Sequence, residues 1–265
     1  MKNTPTLTIF ESKENQLKAS PEELEFFKQF PLEKYPIHHV PFLGSFFLDQ
    51  RTDCIKDVLR RGLIWEPKTK ALIKKYAKPD SIAIDIGAHI GTHTITLSQC
   101  AGHVYAFEPQ KKLYSELMMN LKLNHCSNIT AYRAVLGNSS KTVQMNKATF
   151  ENEGATEIGS GGDTVPMISL DDLLLEPVSF IKIDVESTEK AVLEGARHTI
   201  LRNRPVILIE ILENLQNGSE NKEDHLNQII ELLIELKYII KPFTGCDYLA
   251  IPIESACEAL GWSYE

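Results

Sequence analysis

The sequence has no long hydrophobic run. Its best stretch, from Leu232 to Ile240, is broken by Glu235 and Lys237, far short of the roughly 18 apolar residues of a membrane span. Met1 to Gln16 alternate polar and charged groups without an apolar centre, so no secretory leader is expected. Paired cysteines are missing too. Cys54, Cys100, Cys126, Cys246 and Cys257 are dispersed and odd in number, the pattern of reduced thiols in a cytoplasmic protein rather than of a disulfide frame or zinc site. There is no basic surplus. Lys and Arg total 28 against 36 Asp and Glu, for a formal charge of −8, which argues against non-specific nucleic-acid binding and its need for excess cations. Internal repeats and low-complexity tracts are also absent. With 43% hydrophobic and 24% charged residues, the 265-residue chain can bury a sizeable core.

Residues 1–60 read as a mostly helical extension. Ser20-Pro21-Glu22-Glu23 is a capping box with proline at the first helical position, followed by Leu24, Phe26, Phe27 and Phe30. Pro31, Pro36 and Pro41 predict a loop carrying His38 and His39, and Phe46-Phe47-Leu48 a short strand. Asp53 is placed to cap a helix ending at Gly62, and Pro67 to Ala77 reads as another helix. From residue 61 to 265 the pattern is that of a single domain. Strands are expected at Ile82–Ile86, His103–Phe107, Ile129–Val135, Phe180–Asp184, Val206–Ile211, Tyr238–Ile240 and Tyr248–Ile251. Between them lie helices over Gly91–Cys100, around Leu113, Leu117 and Leu121, over Thr188–Arg202 and around Leu226–Leu236. Lys141–Met145 and Val165–Ile168 suggest an extra hairpin around Gly159, Gly161 and Gly162. Such alternation predicts an α/β fold with a mainly parallel sheet covered on both faces.

The strongest local signal is Ile82-Ala83-Ile84-Asp85-Ile86-Gly87-Ala88-His89-Ile90-Gly91-Thr92. A hydrophobic strand runs into an acid and then a Gly-x-x-x-Gly turn that opens a helix. Gly87 and Gly91 would let the backbone approach a ligand, at the strand end where open α/β sheets bind them. The spacing is not the Gly-x-Gly-x-x-Gly of dinucleotide folds. Glu108, ending the second strand in Ala106-Phe107-Glu108-Pro109, is placed to bind a ribose diol. Together the two features point to an adenosine-containing ligand.

Asp85-Ile86-Gly87-Ala88-x-x-Gly91-Thr92-His93-Thr94, Phe107-Glu108-Pro109, Asn120-x-x-x-Asn124, Ser169-Leu170-Asp171-Asp172-Leu173 and Ile181-Lys182-Ile183-Asp184-Val185-Glu186, with Trp65-Glu66 upstream, resemble the FkbM family of S-adenosylmethionine-dependent methyltransferases. The resemblance covers roughly residues 60–250. It implies the class I methyltransferase (Rossmann-like) fold, a three-layer sandwich around a seven-stranded, mostly parallel sheet whose last strand is antiparallel. It also implies O-methyl transfer to a hydroxyl of a sugar, glycan or other small metabolite. Two positions depart from the family pattern: Ser187 stands where Gly is usual, and His89 where Asn is frequent.

On this resemblance Glu66, Asp85 and the turn Gly87, Ala88, His89, Gly91 and Thr92 would hold the methionine end of S-adenosylmethionine. Glu108 and Pro109 would hold the ribose, and Ala134 and Val135 would face the adenine. Asp184, Glu186 and Glu210, at the ends of the fourth and fifth strands, are the candidate catalytic groups for taking up the hydroxyl proton. Lys182 is expected on the opposite sheet face from Asp184, with no direct pair between them. Asp184 and Glu210 could instead attract Mg²⁺, though two carboxylates do not make a metal assignment. His38, His39 and His93 read as solvated or structural, and Asp171-Asp172 as a helix cap.

Two other classes compete. A nicotinamide-dependent oxidoreductase would use Glu108 equally well, but the third glycine is missing. A non-catalytic S-adenosylmethionine-binding module is the other alternative, with Ser187 as its hint. No Asn-Pro-Pro-aromatic motif for base amines stands at Asp184-Val185-Glu186. The expected partner is thus a small-molecule or glycan acceptor, without nucleic acid or membrane. Residues 1–60 are expected either to cover the acceptor side or to form a homodimer contact.

Overall fold

The computed structural model describes residues 35–50, 53–146, 154, 157–211 and 222–259. The capping box at Ser20 and the apolar residues from Leu24 to Phe30 lie outside the described residues.

Seven strands form the central sheet: β3 (Ile82–Ile86), β4 (His103–Phe107), β5 (Ile129–Tyr132), β9 (Val178–Ile183), β10 (Val206–Glu210), β11 (Tyr238–Thr244) and β12 (Asp247–Pro252). Their spatial order is β11-β12-β10-β9-β3-β4-β5. Neighbours are parallel except at β12, which runs antiparallel to both β10 and β11. This is the class I methyltransferase order with its antiparallel last strand, as expected. The chain winds outward in both directions from β3 and β9, so their carboxyl ends flank the crevice where the strand order reverses.

The helices complete the layers. On one side α5 (Glu189–Gly195), α6 (Arg197–Asn203) and α7 (Lys222–Glu235) pack Val192, Ile200, Ile229 and Leu233 onto Ile84, Ile181 and Ile207. On the other, α2 (Pro67–Tyr76) and α3 (Thr92–Ser98) bring Leu72, Ile73 and Leu97 against Ala83, Phe180 and Leu208. Strands covered on both faces read as nearly unbroken apolar runs, and here Asp85 of β3 and Lys182 of β9 are the buried charged exceptions. They are register partners across the β3–β9 pair.

The single helix expected over Thr188–Arg202 is divided at Ala196 into α5 and α6. The break is stabilised from a distance. Asp171, in the 3₁₀ turn Leu170–Leu173, accepts hydrogen bonds from the backbone N–H groups of His198 and Thr199, and Ser169 Oγ donates to the Gly195 carbonyl. Asp171 is thus a helix cap, as read, but for a helix far along the chain. The strand expected over Ile129–Val135 also divides. Val135–Leu136 (β6) leaves the main sheet and joins β7 (Lys141–Asn146) and β8 (Gly161–Ile168) in a separate three-stranded sheet. The extra hairpin expected around the Gly-rich segment is the β7–β8 pair.

The loop expected to carry His38 and His39 is instead a strand. β1 (Ile37–Val40) pairs antiparallel with β2 (Gly44–Phe47), and Pro36 and Pro41 flank the ladder without entering it. Two strands alone are marginal in water. Here α4 (Lys111–Leu123) holds them through the Asn120-x-x-x-Asn124 motif. Asn120 accepts from Phe47 N–H at 2.8 Å and donates to the Ile90 carbonyl at 2.9 Å, while Asn124 accepts from Ser45 N–H at 2.8 Å and donates back to the Ser45 carbonyl at 2.7 Å. Beneath these bonds Val40, Leu43, Phe46 and Leu48 share one core with Leu113, Leu117 and Ile90. The expected helix after Asp53 is α1 (Cys54–Arg60), whose Lys56 N–H bonds to the Asp53 carboxylate.

Asn120 therefore ties the hairpin to the turn between β3 and α3. Asn120→Ala orphans the half-buried N–H of Phe47 and the buried C=O of Ile90, each costing about 1–3 kcal/mol. The expected loss is about 2–5 kcal/mol, a fall in melting temperature of roughly 5–15 °C. Thermal and urea unfolding check it; a loss below about 1 kcal/mol would mean that water replaces both bonds.

Candidate functional site

The carboxyl ends of β3, β4 and β9 open into a cleft of about 480 Å³, counting the open solvent at its mouth. Ile86 and Gly87 come from the end of β3, Phe107, Glu108, Pro109 and Gln110 from the end of β4 and the loop after it, and Ala134, Val135 and Leu136 from the segment after β5 that leads into β6. Asp184, Val185, Glu186 and Thr188 come from the loop that follows β9. Met145, Gly154 and Ile158 of the β6–β8 insertion close a further side, and the sequence reading did not include them. Among the described residues that line the cleft, the charged side chains are Glu108, Asp184 and Glu186, all acidic.

Gly87 has φ 83°, and a Cβ there would lie 1.7 Å from the Asp184 carbonyl oxygen. Its N–H and that of Ala88 both bond to the Phe107 carbonyl. Gly87 is therefore required by the close approach of the chain after β9 as well as lining the cleft. Gly91, at φ 95°, opens α3 in the left-handed region, and a Cβ there would also meet Leu117 Cδ1 of α4 at 2.8 Å. Ala88, His89, Gly91 and Thr92 are buried and do not line the cleft. His89 contributes its backbone, donating N–H to Glu108 at 2.9 Å, while its ring turns away to stand 3.6 Å from Asp53.

Both Glu108 oxygens are fixed, one by His89 N–H and the other by Gln110 N–H at 2.9 Å. Burial nevertheless pushes this carboxyl up to about 7, against those two bonds. A carboxylate held by backbone donors keeps lone pairs for a further donor such as a diol. Asp85 is fully buried. Thr94 Oγ1 donates to its Oδ2 at 2.5 Å, while Oδ1 has no hydrogen-bond partner.

Behind the rim lies a dense charge cluster. Lys182 and Asp184 were expected on opposite faces, yet Lys182 Nζ stands 2.7 Å from Asp184 Oδ2. The expectation miscounted the strand: residues two apart share a face. Burial opposes charge on both groups, but Asp184 and Asp85 keep Lys182 strongly protonated, and Lys182 holds Asp184 well below the usual carboxylate range. Glu210, which does not line the cleft, is pushed up by burial and by its hydrogen bond to Asp184. Its register partner Asp247, missed in the sequence, is raised to about 7 by burial and by Glu66 and Asp184. Glu66, at φ 45° before α2, accepts from or donates to His93 Nε2 at 3.0 Å and does not reach the cleft lining. Among the described residues no group of three or more His, Cys, Asp or Glu is arranged to hold a metal ion, and Asp184 already has the Lys182 ammonium.

Ser187, the departure from the family's glycine, has φ 74°, and Glu186 before it has φ 47°. Ser187 thus keeps the left-handed backbone that favours glycine. It also donates its hydroxyl to Glu157 of the insertion at 3.3 Å and its N–H to Glu189 at 3.0 Å.

The raised carboxyls give the fold a definite pH dependence. Each binds its proton more tightly folded than unfolded, so this stability is present below about pH 4.5 and is lost as pH rises through about 7. His103, lowered by burial, acts in the opposite sense. The melting temperature is expected to be higher at pH 5.5 than at pH 8, and Asp247→Asn to shrink that difference. Differential scanning fluorimetry across this range tests it; an unchanged difference in the variant would remove Asp247 from the cluster.

Among the described residues no helix is long and apolar enough to cross a membrane. No curated protein matches this chain in sequence. Of solved structures, an FkbM methyltransferase from Methylobacillus flagellatus KT is similar at 21% identity, covering 74% of this chain and 53% of that one, with a TM-score of 0.49. This chain thus spans about half the length of that protein. Trm5b from Pyrococcus abyssi is similar at 17% identity, covering 82% and 55%, with a TM-score of 0.45. Fibrillarin from Aeropyrum pernix, bound to S-adenosyl-L-methionine, is similar at 15% identity, covering 69% and 73%, with a TM-score of 0.41. Residues 85–240, from the β3 acid to β11, match the model of the methyltransferase FkbM domain. That match takes in more than half of the chain, which therefore belongs to the FkbM methyltransferase family.

Proposed function

We propose that this methyltransferase uses S-adenosylmethionine to methylate a hydroxyl of a sugar, glycan or other small metabolite. The observation that carries the reading is the charge of the cleft. Its described lining offers Glu108, Asp184 and Glu186 and no cationic side chain. That suits a donor bearing a sulfonium and an ammonium, and disfavours the pyrophosphate of a nicotinamide dinucleotide or the phosphates of a nucleic acid. The residues fit such a donor in detail. The fixed Glu108 carboxylate suits a ribose diol, the apolar Ala134, Val135 and Leu136 suit an adenine ring, and the unpartnered Asp85 Oδ1 lies beneath the donor turn.

When bound, S-adenosylmethionine supplies an electrophilic methyl group with a neutral leaving group. The chain's own tasks are to align the acceptor oxygen, keep water away and remove a proton. Alignment alone can supply a large part of the acceleration, and Met145 and Ile158 of the insertion give the apolar wall that excludes water. A rim carboxylate takes the proton, worth typically ~10²–10⁴-fold. The preserved backbone path at Ser187 favours an active enzyme over a module that has lost its chemistry.

Thermal unfolding with S-adenosylmethionine, S-adenosylhomocysteine and NAD in parallel tests the donor. A ligand at about 100 times its Kd stabilises by about 2.7 kcal/mol, a rise of roughly 5–10 °C in a domain of this size. Both adenosyl sulfur compounds are expected to shift the transition, NAD to leave it unchanged, and Glu108→Ala to abolish the shift. Transfer of a labelled methyl group to a panel of methyl glycosides, with and without Mg²⁺, then tests the acceptor. A shift with NAD alone would overturn the reading.

A further inference from the structure

We propose that Glu186, and not Asp184, is the base that takes the acceptor's hydroxyl proton, an assignment that rests on the methyltransferase reading above. The two carboxylates share the cleft wall but differ in what surrounds them. Asp184 is bonded to Lys182 Nζ at 2.7 Å and shares a hydrogen bond with Glu210. A carboxylate neutralised by a buried ammonium is a poor proton acceptor, because protonation would strand the cation. Its chemistry is to stay anionic.

Glu186 faces a different field. It is half-buried and lines the cleft, and its charged neighbours are Asp184 at the end of β9, Glu189 of α5 and Glu157 of the insertion. All three are acidic. The basic groups on the elements that carry these acids are engaged elsewhere: Lys182 Nζ with Asp184 at 2.7 Å, Lys190 Nζ of α5 with Gln228 at 2.6 Å, and His225 Nε2 of α7 with Glu189 at 3.1 Å. Like charges and burial both favour a bound proton, and they push Glu186 up to about 7. That is where a general base is most effective at neutral pH.

The backbone points the same way. Glu186 and Ser187 are consecutive non-glycine residues in the left-handed region, which costs roughly 1–2 kcal/mol per residue. Ser187 is anchored on both sides, to Glu189 through its N–H and to Glu157 through its hydroxyl. The structure thus holds Glu186 against the cleft by strain that its neighbours enforce.

In the reaction the acceptor O–H bond breaks and its proton passes to the Glu186 carboxylate. The acceptor oxygen's electron pair forms the new O–CH₃ bond as the C–S bond of the donor breaks. The products are a methyl ether, a neutral thioether and a protonated Glu186, which then releases its proton to solvent. Charge and atoms balance without any further co-reactant.

The first test needs no substrate. Carbon-13 NMR of glutamate side-chain carboxyls in the full-length protein is expected to show a resonance titrating near pH 7 that disappears in Glu186→Gln, with the fold intact by its melting temperature. Assignment of Glu186 to a titration near pH 4.5 would overturn the proposal whether or not an acceptor is known. With an active methyl glycoside, Glu186→Gln is expected to lower kcat by roughly 10²–10³-fold and remove the rising limb of the pH–rate profile near pH 7. The S-adenosylhomocysteine shift should be retained. A variant that keeps both its rate and that limb would refute the assignment. Wild-type failure to bind either adenosyl compound would instead count against the methyltransferase reading.

Discussion

The buried ammonium of Lys182 is the constraint around which the site is organised. It sits in the middle of a parallel sheet, where strands are otherwise apolar on both faces, opposite Asp85 and bonded to Asp184. An unpaired charge there would cost several kcal/mol. Lys182 therefore requires its acids, and they require it. Because β3 and β9 meet at the point where the strand order reverses, this pairing fixes the carboxyl ends of both strands at the mouth of the cleft.

From that pair the electrostatics spread outward. Asp184 is kept anionic, and burial together with its charge pushes Glu210, Asp247 and Glu186 towards their protonated forms. Carboxylates with ionisation pushed in opposite directions can divide roles that a sequence shows only as a run of acids. The cleft that results is negative without being uniformly ionised. That state fits the cationic donor and the proton acceptor proposed above. The β6–β8 insertion adds the apolar wall, and its Glu157 reaches back to Ser187. The β1–β2 hairpin has a different place. It lies on α4 and is joined through Asn120 to the carbonyl of Ile90 in the turn between β3 and α3, so this hairpin supports that turn without lining the cleft.

Much of this was legible in the chain. Alternating buried runs and helical periods determined the parallel sheet, its antiparallel last strand followed from the family resemblance, and the order Asp85, Gly87, Glu108, Asp184 marked the strand ends that open into the cleft. These features are local or depend only on sequence order, because each strand's burial and each turn's glycine is written in its own residues. The hairpin at His38 was not legible. Its stability comes from Asn120 and Asn124, more than seventy residues away, while its own prolines signal a loop. The break at Ala196 was hidden for the same reason, since the cap is Asp171.

The site followed the same division. The sequence by itself determined that acids end β4, β9 and β10 and that glycine opens the turn after β3. Only the tertiary structure decided which acids see the cleft, which are neutralised, and that Gly91 stands close against Leu117 of α4. Ionisation is set by the sum of burial and neighbouring charge. For Asp184, Glu186 and Glu210 those neighbours come from different strands, from α5 and from the insertion, and they are brought within range only when the sheet closes around Lys182.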